Sequence, residues 1–206
     1  MIGLVIGSIL LFCPLFVFRT IGPLDFWWWM SANLLVLIGM AAITDAAFRR
    51  SVSDDFRAGI LKKIGLGLLS ALALYGVFFA GNIMSRKLFA FAGQDIASVY
   101  DFKSGVAPAR VWLLITLVIG PGEEVFWRGY LQRALALRFG PANGCFLAAT
   151  LYAGVHLASG NVMLVLAALV CGFVWGWLYL RFGSILLNAV SHTAWDVAVF
   201  LVWPFA

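Results

Sequence analysis

Charge is scarce in this chain. Of 206 residues only 11% are Asp, Glu, Lys or Arg, while 64% are hydrophobic and the mean hydropathy is +1.01. A water-soluble domain of this length cannot hide so much apolar surface. The sequence therefore excludes that class and reads as an integral membrane protein, an all-α polytopic bundle of about seven transmembrane spans. Cysteine is nearly absent: Cys13, Cys145 and Cys171 each lie in an apolar run, and an odd number at that spacing suits neither a disulfide framework nor a zinc knot. They read as small buried hydrophobes. There is no HExxH motif, internal repeat, low-complexity tract or soluble domain. The net charge of +5 does not point to nucleic acid, because most basic residues lie in short segments between apolar runs, where the positive-inside rule places them.

The apolar runs predict spans over 2–18, 27–48, 64–84, 108–137, 143–157, 162–180 and 184–203. The first lacks a basic n-region and a small-residue cleavage site, so it reads as a retained span. Trp27, Trp28 and Trp29 suit an aromatic belt at the headgroups, and Trp175, Trp177 and Tyr179 suit interface anchors. Arg49, Arg50, Arg57, Lys62 and Lys63 form the densest basic segment and predict that loop in the cytoplasm, at a plasma membrane, with the N-terminus inside and the C-terminus outside. Residues 85–107 form the longest polar connection and have room for an interfacial helix. Gly172 and Gly176 fit a small-xxx-small packing pattern. Residues 1–107 carry no chemical motif and 108–203 carry all of them, within one membrane domain.

The glutamates and histidines are fewer than the cysteines. Glu123 and Glu124 are the only glutamates, side by side after Gly120-Pro121-Gly122 and just before Arg128; His156 and His192 are the only histidines. All lie in apolar sequence, where a charged group costs roughly 2.5–3.5 kcal/mol on insertion scales and marks a functional candidate. Positions four apart share a helix face and adjacent positions do not. Glu124 and Arg128 therefore form a self-neutralising pair, whereas Glu123 points elsewhere and must find its partner on another helix. Tyr152 precedes His156 by four, and Asn188 and Asp196 flank His192 by four on either side. The bland readings are a structural ion pair for Glu124–Arg128 and interhelical glue for the Asn188–His192–Asp196 stripe.

One carboxylate and two imidazoles support hydrolysis. A carboxylate in a partly apolar cavity can act as general base, taking a proton from water and later giving it to a leaving amine. The histidines could hold that water or donate to the developing oxyanion, with Asp196 or Asn188 orienting His192. Glu123, His156 and His192 could alternatively hold a divalent ion such as zinc, although no spacing demands one.

Three motifs resemble one family. Glu123-Glu124-x-x-x-Arg128, followed by Gly129-Tyr130, is similar to the EExxxR motif of the CPBP family, the CAAX proteases and bacteriocin-processing enzymes also called Abi. Tyr152-x-x-x-His156 resembles its FxxxH motif with tyrosine for phenylalanine. His192-x-x-x-Asp196 resembles its last motif, His followed by Asn or Asp. The resemblance covers about residues 108–200. It implies an all-helical intramembrane endopeptidase in which Glu123 activates water, His156 and His192 surround the nucleophile and oxyanion, and Glu124 and Arg128 are the supporting pair. Asp196 falls where the CAAX-processing branch has Asn. The family has been described both as metal-dependent and as using a glutamate-activated water; the second fits this sequence better and requires no cofactor. The implied partners are membrane lipid and a peptide or protein substrate, lipidated if the role is CAAX processing, with bacteriocin maturation or immunity equally open. The alternatives are a non-catalytic scaffold or immunity protein on the same fold and, last, a proton-coupled transporter, for which repeats and broken helices in both halves are lacking.

Overall fold

The computed structural model describes residues 2–205, which fold into nine helices with no β-strand among them beyond one bridge between Ile21 and Leu24. They are α1 (Ile2–Phe18), α2 (Phe26–Thr44), α3 (Ala46–Asp55), α4 (Ile60–Leu88), α5 (Ala92–Val99, continued by a 3-10 turn, Tyr100–Lys103), α6 (Pro108–Phe139), α7 (Pro141–His156), α8 (Val162–Phe182) and α9 (Ile185–Val202). Seven of them coincide with the seven predicted spans. By length and hydropathy α2, α4, α8 and α9 are each able to cross a membrane, and the segment containing α5 together with α6, bent by 92° from it, makes a fifth when the pair counts as one span. α1 is apolar but has 17 residues, and α7 has 16. Leu61, Ile43, Leu137, Leu72 and Leu117 are each more than two-thirds exposed, an outer surface that only lipid would cover.

Polar residues set the helix boundaries. Asp25 precedes α2 and accepts from the N–H groups of Trp27 (3.1 Å) and Trp28 (3.2 Å). The predicted span 27–48 stops early, at Thr44, because Asp45 is extended (φ −132°) and its side chain takes the Phe48 N–H at 2.9 Å to start α3. Pro141 at the first turn of α7 follows Gly140, whose φ of 88° a residue with a Cβ would rarely adopt. The polar connection 85–107 contains α5, as expected, although α4 runs on to Leu88.

Two polar ends sandwich the apolar bundle. At one end Asp45 pairs with Arg133, and Asp55 accepts from Leu186 N (2.7 Å), Ser184 Oγ (3.2 Å) and Lys63 Nζ (2.8 Å). At the other Asp25 pairs with Arg110, Asp95 accepts from Val162 N (3.1 Å), and Arg86 donates to Phe205 O (2.8 Å). Apart from Asp55–Lys63, each of these contacts ties the first hundred residues to the chain beyond Pro108.

The helix that carries Glu123 is not uniform. π-helical turns, Ile115–Ile119 and Glu124–Gln132, flank a short α segment, Gly120–Glu123. Pro121 has no N–H and would crowd the Leu117 carbonyl in a regular α turn, and the wider turn before it relieves that contact. α6 crosses α9 closely: a Cβ at Gly120 would run into Thr193 Oγ1 and lie 3.1 Å from its Cα. The small-residue pattern on α8 also makes a close crossing, since Cβ atoms at Gly172 and Gly176 would lie 3.1 Å from Ala149 O and 3.0 Å from Cys145 Sγ of α7.

The aromatic expectations need correction. Trp27 and Trp29 are buried, and Trp27 Nε1 donates to Phe102 O at 2.8 Å; of the three only Trp28 is exposed. Trp175 is fully buried, not an interface anchor, whereas Trp177 is exposed.

Candidate active site

Glu124 sits at the centre of a closed polar knot. It and Asn188 are fully buried, and Arg128 is 2% exposed. Arg128 Nη1 and His192 Nδ1 donate to Glu124 Oε1 at 2.8 and 2.7 Å, and Asn188 Nδ2 donates to Oε2 at 3.1 Å. The predicted i, i+4 pair therefore forms, within a π-helical turn. A carboxylate can lie in this interior only because three donors surround it. Asn188 Nδ2 also donates to Trp175 O at 2.7 Å, which ties α9 to α8.

The group that orients His192 differs from the expectation. Neither Asn188 nor Asp196 holds Nδ1; Glu124 does. An ionised carboxylate only accepts, so Nδ1 carries a hydrogen and the reactive side of the ring is Nε2. Nε2 lies 3.4 Å from Glu123 Oε2 and 3.4 Å from Asp196 Oδ2. Two acidic side chains thus converge on one imidazole nitrogen, a spacing that suits proton exchange among the three. The ring is fixed from its face by Trp175, with centroids 3.7 Å apart and planes 19° apart. Trp175 is anchored in turn by its Nε1–H, which donates to Ser191 Oγ at 3.1 Å.

Glu123 has no partner on its own helix, as its face predicts. Its contacts come from α7 and α9: Tyr152 Oη donates to Oε2 at 2.9 Å, and His192 Nε2 approaches the same oxygen. His156 is one turn beyond Tyr152. Its Nδ1 donates to the Tyr152 carbonyl at 2.8 Å, so the four-residue spacing is used by the main chain, and Nε2 remains an acceptor. The Phe16 ring packs on His156 at 4.6 Å.

Glu123, Tyr152, His156, His192 and Asp196 all line one cavity of about 440 Å³. Its remaining wall is mostly apolar and runs out to Asn82, Phe89 and Phe205. The first hundred residues, which carry no motif, supply much of that wall through Phe16, Trp27, Met30 and Phe78. A charged group here faces a cavity while its neighbours exclude bulk water, the setting in which fixed dipoles act most strongly on a developing charge.

Among the described residues no three His, Cys, Asp or Glu side chains are gathered as a metal-binding group. His192 Nδ1 is held by Glu124, which leaves its Nε2 toward the cavity, and Glu123 Oε2 is held by Tyr152. The three cysteines are free thiols, and Cys171 lines the cavity.

Sequence reasoning missed Trp175 and Ser191. Neither stands at a motif spacing, and their role arises only where α8 meets α9.

No curated protein and no solved structure matched the chain. One family model did, over residues 105–198, the stretch from the start of α6 to the end of the site on α9. That segment, with its paired glutamates, two histidines and shared cavity, is similar to the family described as type II CAAX prenyl endopeptidase Rce1-like.

Proposed function

We propose that the chain is an intramembrane endopeptidase that hydrolyses a peptide bond near the membrane surface, with Glu123 as the base. The observation that carries this is the unequal use of the two glutamates. Glu124 is saturated by Arg128, His192 and Asn188, whereas Glu123 keeps carboxylate capacity at the cavity. Glu123 takes a proton from water, and the hydroxide adds to the substrate carbonyl carbon. The C–N bond then breaks, and the proton on Glu123 passes to the leaving nitrogen. His156 Nε2 accepts a hydrogen bond from the water's second hydrogen, which stays on the attacking oxygen. His192, when protonated at Nε2, donates to the oxyanion or to Asp196, and Glu124 stabilises the imidazolium through Nδ1. Asp196 can donate only in its acid form, so its part is to hold the His192 proton. The step requires no metal.

The family match over residues 105–198 favours a CAAX-type peptide carrying an apolar lipid, and the apolar wall of the cavity suits one. We place the catalytic core at 108–203 and the basic Arg49–Lys63 segment in the cytoplasm. On that orientation the N-terminus is cytoplasmic, and the peptide reaches Glu123 from the opposite face, where Asn82, Phe89 and Phe205 line the cavity.

The test is purified protein in lipid vesicles with a prenylated CAAX peptide. Glu123→Gln, which keeps the shape, is expected to lower cleavage by at least about 10²-fold, the low end for a general base. Undiminished cleavage would reject the assignment. Undiminished cellular effect after replacing Glu123, His156 and His192 together by alanine would favour the scaffold reading instead.

A further inference from the structure

We infer that the Tyr152 hydroxyl is a positioning group for Glu123: it holds Oε2 and so reserves Oε1 for the water. The kinetic half of this statement rests on Glu123 being the base, and the geometric half does not. Both protein contacts of Glu123 fall on one oxygen, since Tyr152 Oη donates to Oε2 at 2.9 Å and His192 Nε2 faces Oε2 at 3.4 Å. Among the described residues, no hydrogen bond reaches Oε1. Tyr152 and Glu123 are 5% and 4% exposed, so bulk water cannot readily replace either partner. A hydrogen bond to a charged acceptor in such surroundings is stronger and more directional than one in water.

The tyrosine is itself held. The Arg128 guanidinium lies 4.8 Å above its ring centroid, and Trp127 packs edge-on at 5.3 Å. Its carbonyl fixes His156 from the same turn of α7. One residue thus sets two groups of the site, Glu123 by its side chain and His156 by its main chain. Phenylalanine at this position would keep the ring, the guanidinium contact and the His156 carbonyl, and would remove only the oxygen that aims Glu123.

That single-atom change is the experiment. Tyr152→Phe is expected to fold like the parent, with kcat lower by about 10-fold or more and KM unchanged, as for loss of a hydrogen bond to a charged group that acts in the chemical step. An independent readout comes from composition, because the chain has only two glutamates. Infrared spectra of protein carrying carboxyl-¹³C glutamate report those two carboxylates alone, and the band lost in Glu123→Gln belongs to Glu123. In Tyr152→Phe that band is expected to shift while the Glu124 band stays. An unmoved Glu123 band would overturn the inference, and so would a shifted band with kcat unchanged. A shifted band in a protein whose parent cleaves nothing would instead sink the peptidase reading and leave the hold of Tyr152 on Glu123 standing.

Discussion

Glu123 and Glu124 share a side chain and a peptide bond, yet their surroundings give them different work. Glu124 is the keystone of a buried knot, so Glu124→Gln leaves Arg128 inside without its counter-charge. Loss of one partner from a buried pair costs about 3–5 kcal/mol, and this variant is expected to unfold at a clearly lower temperature than the parent. Glu123→Gln removes no ion pair with Arg128 and is expected to unfold close to the parent; thermal unfolding of both variants in one detergent checks the contrast. This division was legible in the sequence, because helical spacing alone pairs Glu124 with Arg128 and sends Glu123 to another face. The stacking of Trp175 on His192 was not legible. A tryptophan near a helix end follows the same statistics whether it meets lipid or an imidazole, and only the packing of α8 on α9 separates the two. Trp175→Phe keeps an aromatic face but loses the Nε1–H to Ser191, and it is expected to lower kcat more than it lowers the unfolding temperature.

At the scale of elements, aspartates outside the spans decide where helices begin. The Asp45 carboxyl is held below the usual carboxylate range by the Phe48 N–H and by Arg133 beside it, against a smaller opposing effect of burial. A carboxylate with a lowered folded value stabilises the fold above its ordinary value of 3.8, and that share is lost as the pH falls through the lower folded value. Asp45→Asn is therefore expected to unfold earlier than the parent at pH 7, with the gap closing in strong acid; unfolding curves across that range check it. The sequence reading ran the second span through this position because apolar residues continue on both sides of it. A single cap outweighs that run by offering Phe48 a nearer acceptor. The π-helical turns around Gly120–Glu123 were equally hidden, since hydropathy does not report how the carbonyls ahead of Pro121 are spaced.

For the molecule as a whole, seven helices run alternately between two clamped ends, and the motif-free first half walls the cavity whose reactive groups come from the second. With the Arg49–Lys63 segment in the cytoplasm, a cysteine placed at Arg57 is expected to react with an impermeant thiol reagent only from the inside, and one placed at Phe205 only from the outside; the reverse pattern would invert the orientation. The central claim is that carboxylates and imidazoles far apart along the chain meet in one place, and two glutamates and two histidines make it directly measurable. In protein labelled with carboxyl-¹³C glutamate and ring-¹⁵N histidine, solid-state NMR should show strong dipolar coupling from the His192 nitrogens to both glutamate carbons, Nδ1 to Glu124 and Nε2 to Glu123, and His192→Gln should abolish it. Absence of any carbon–nitrogen coupling in the folded, membrane-embedded parent would contradict the shared site.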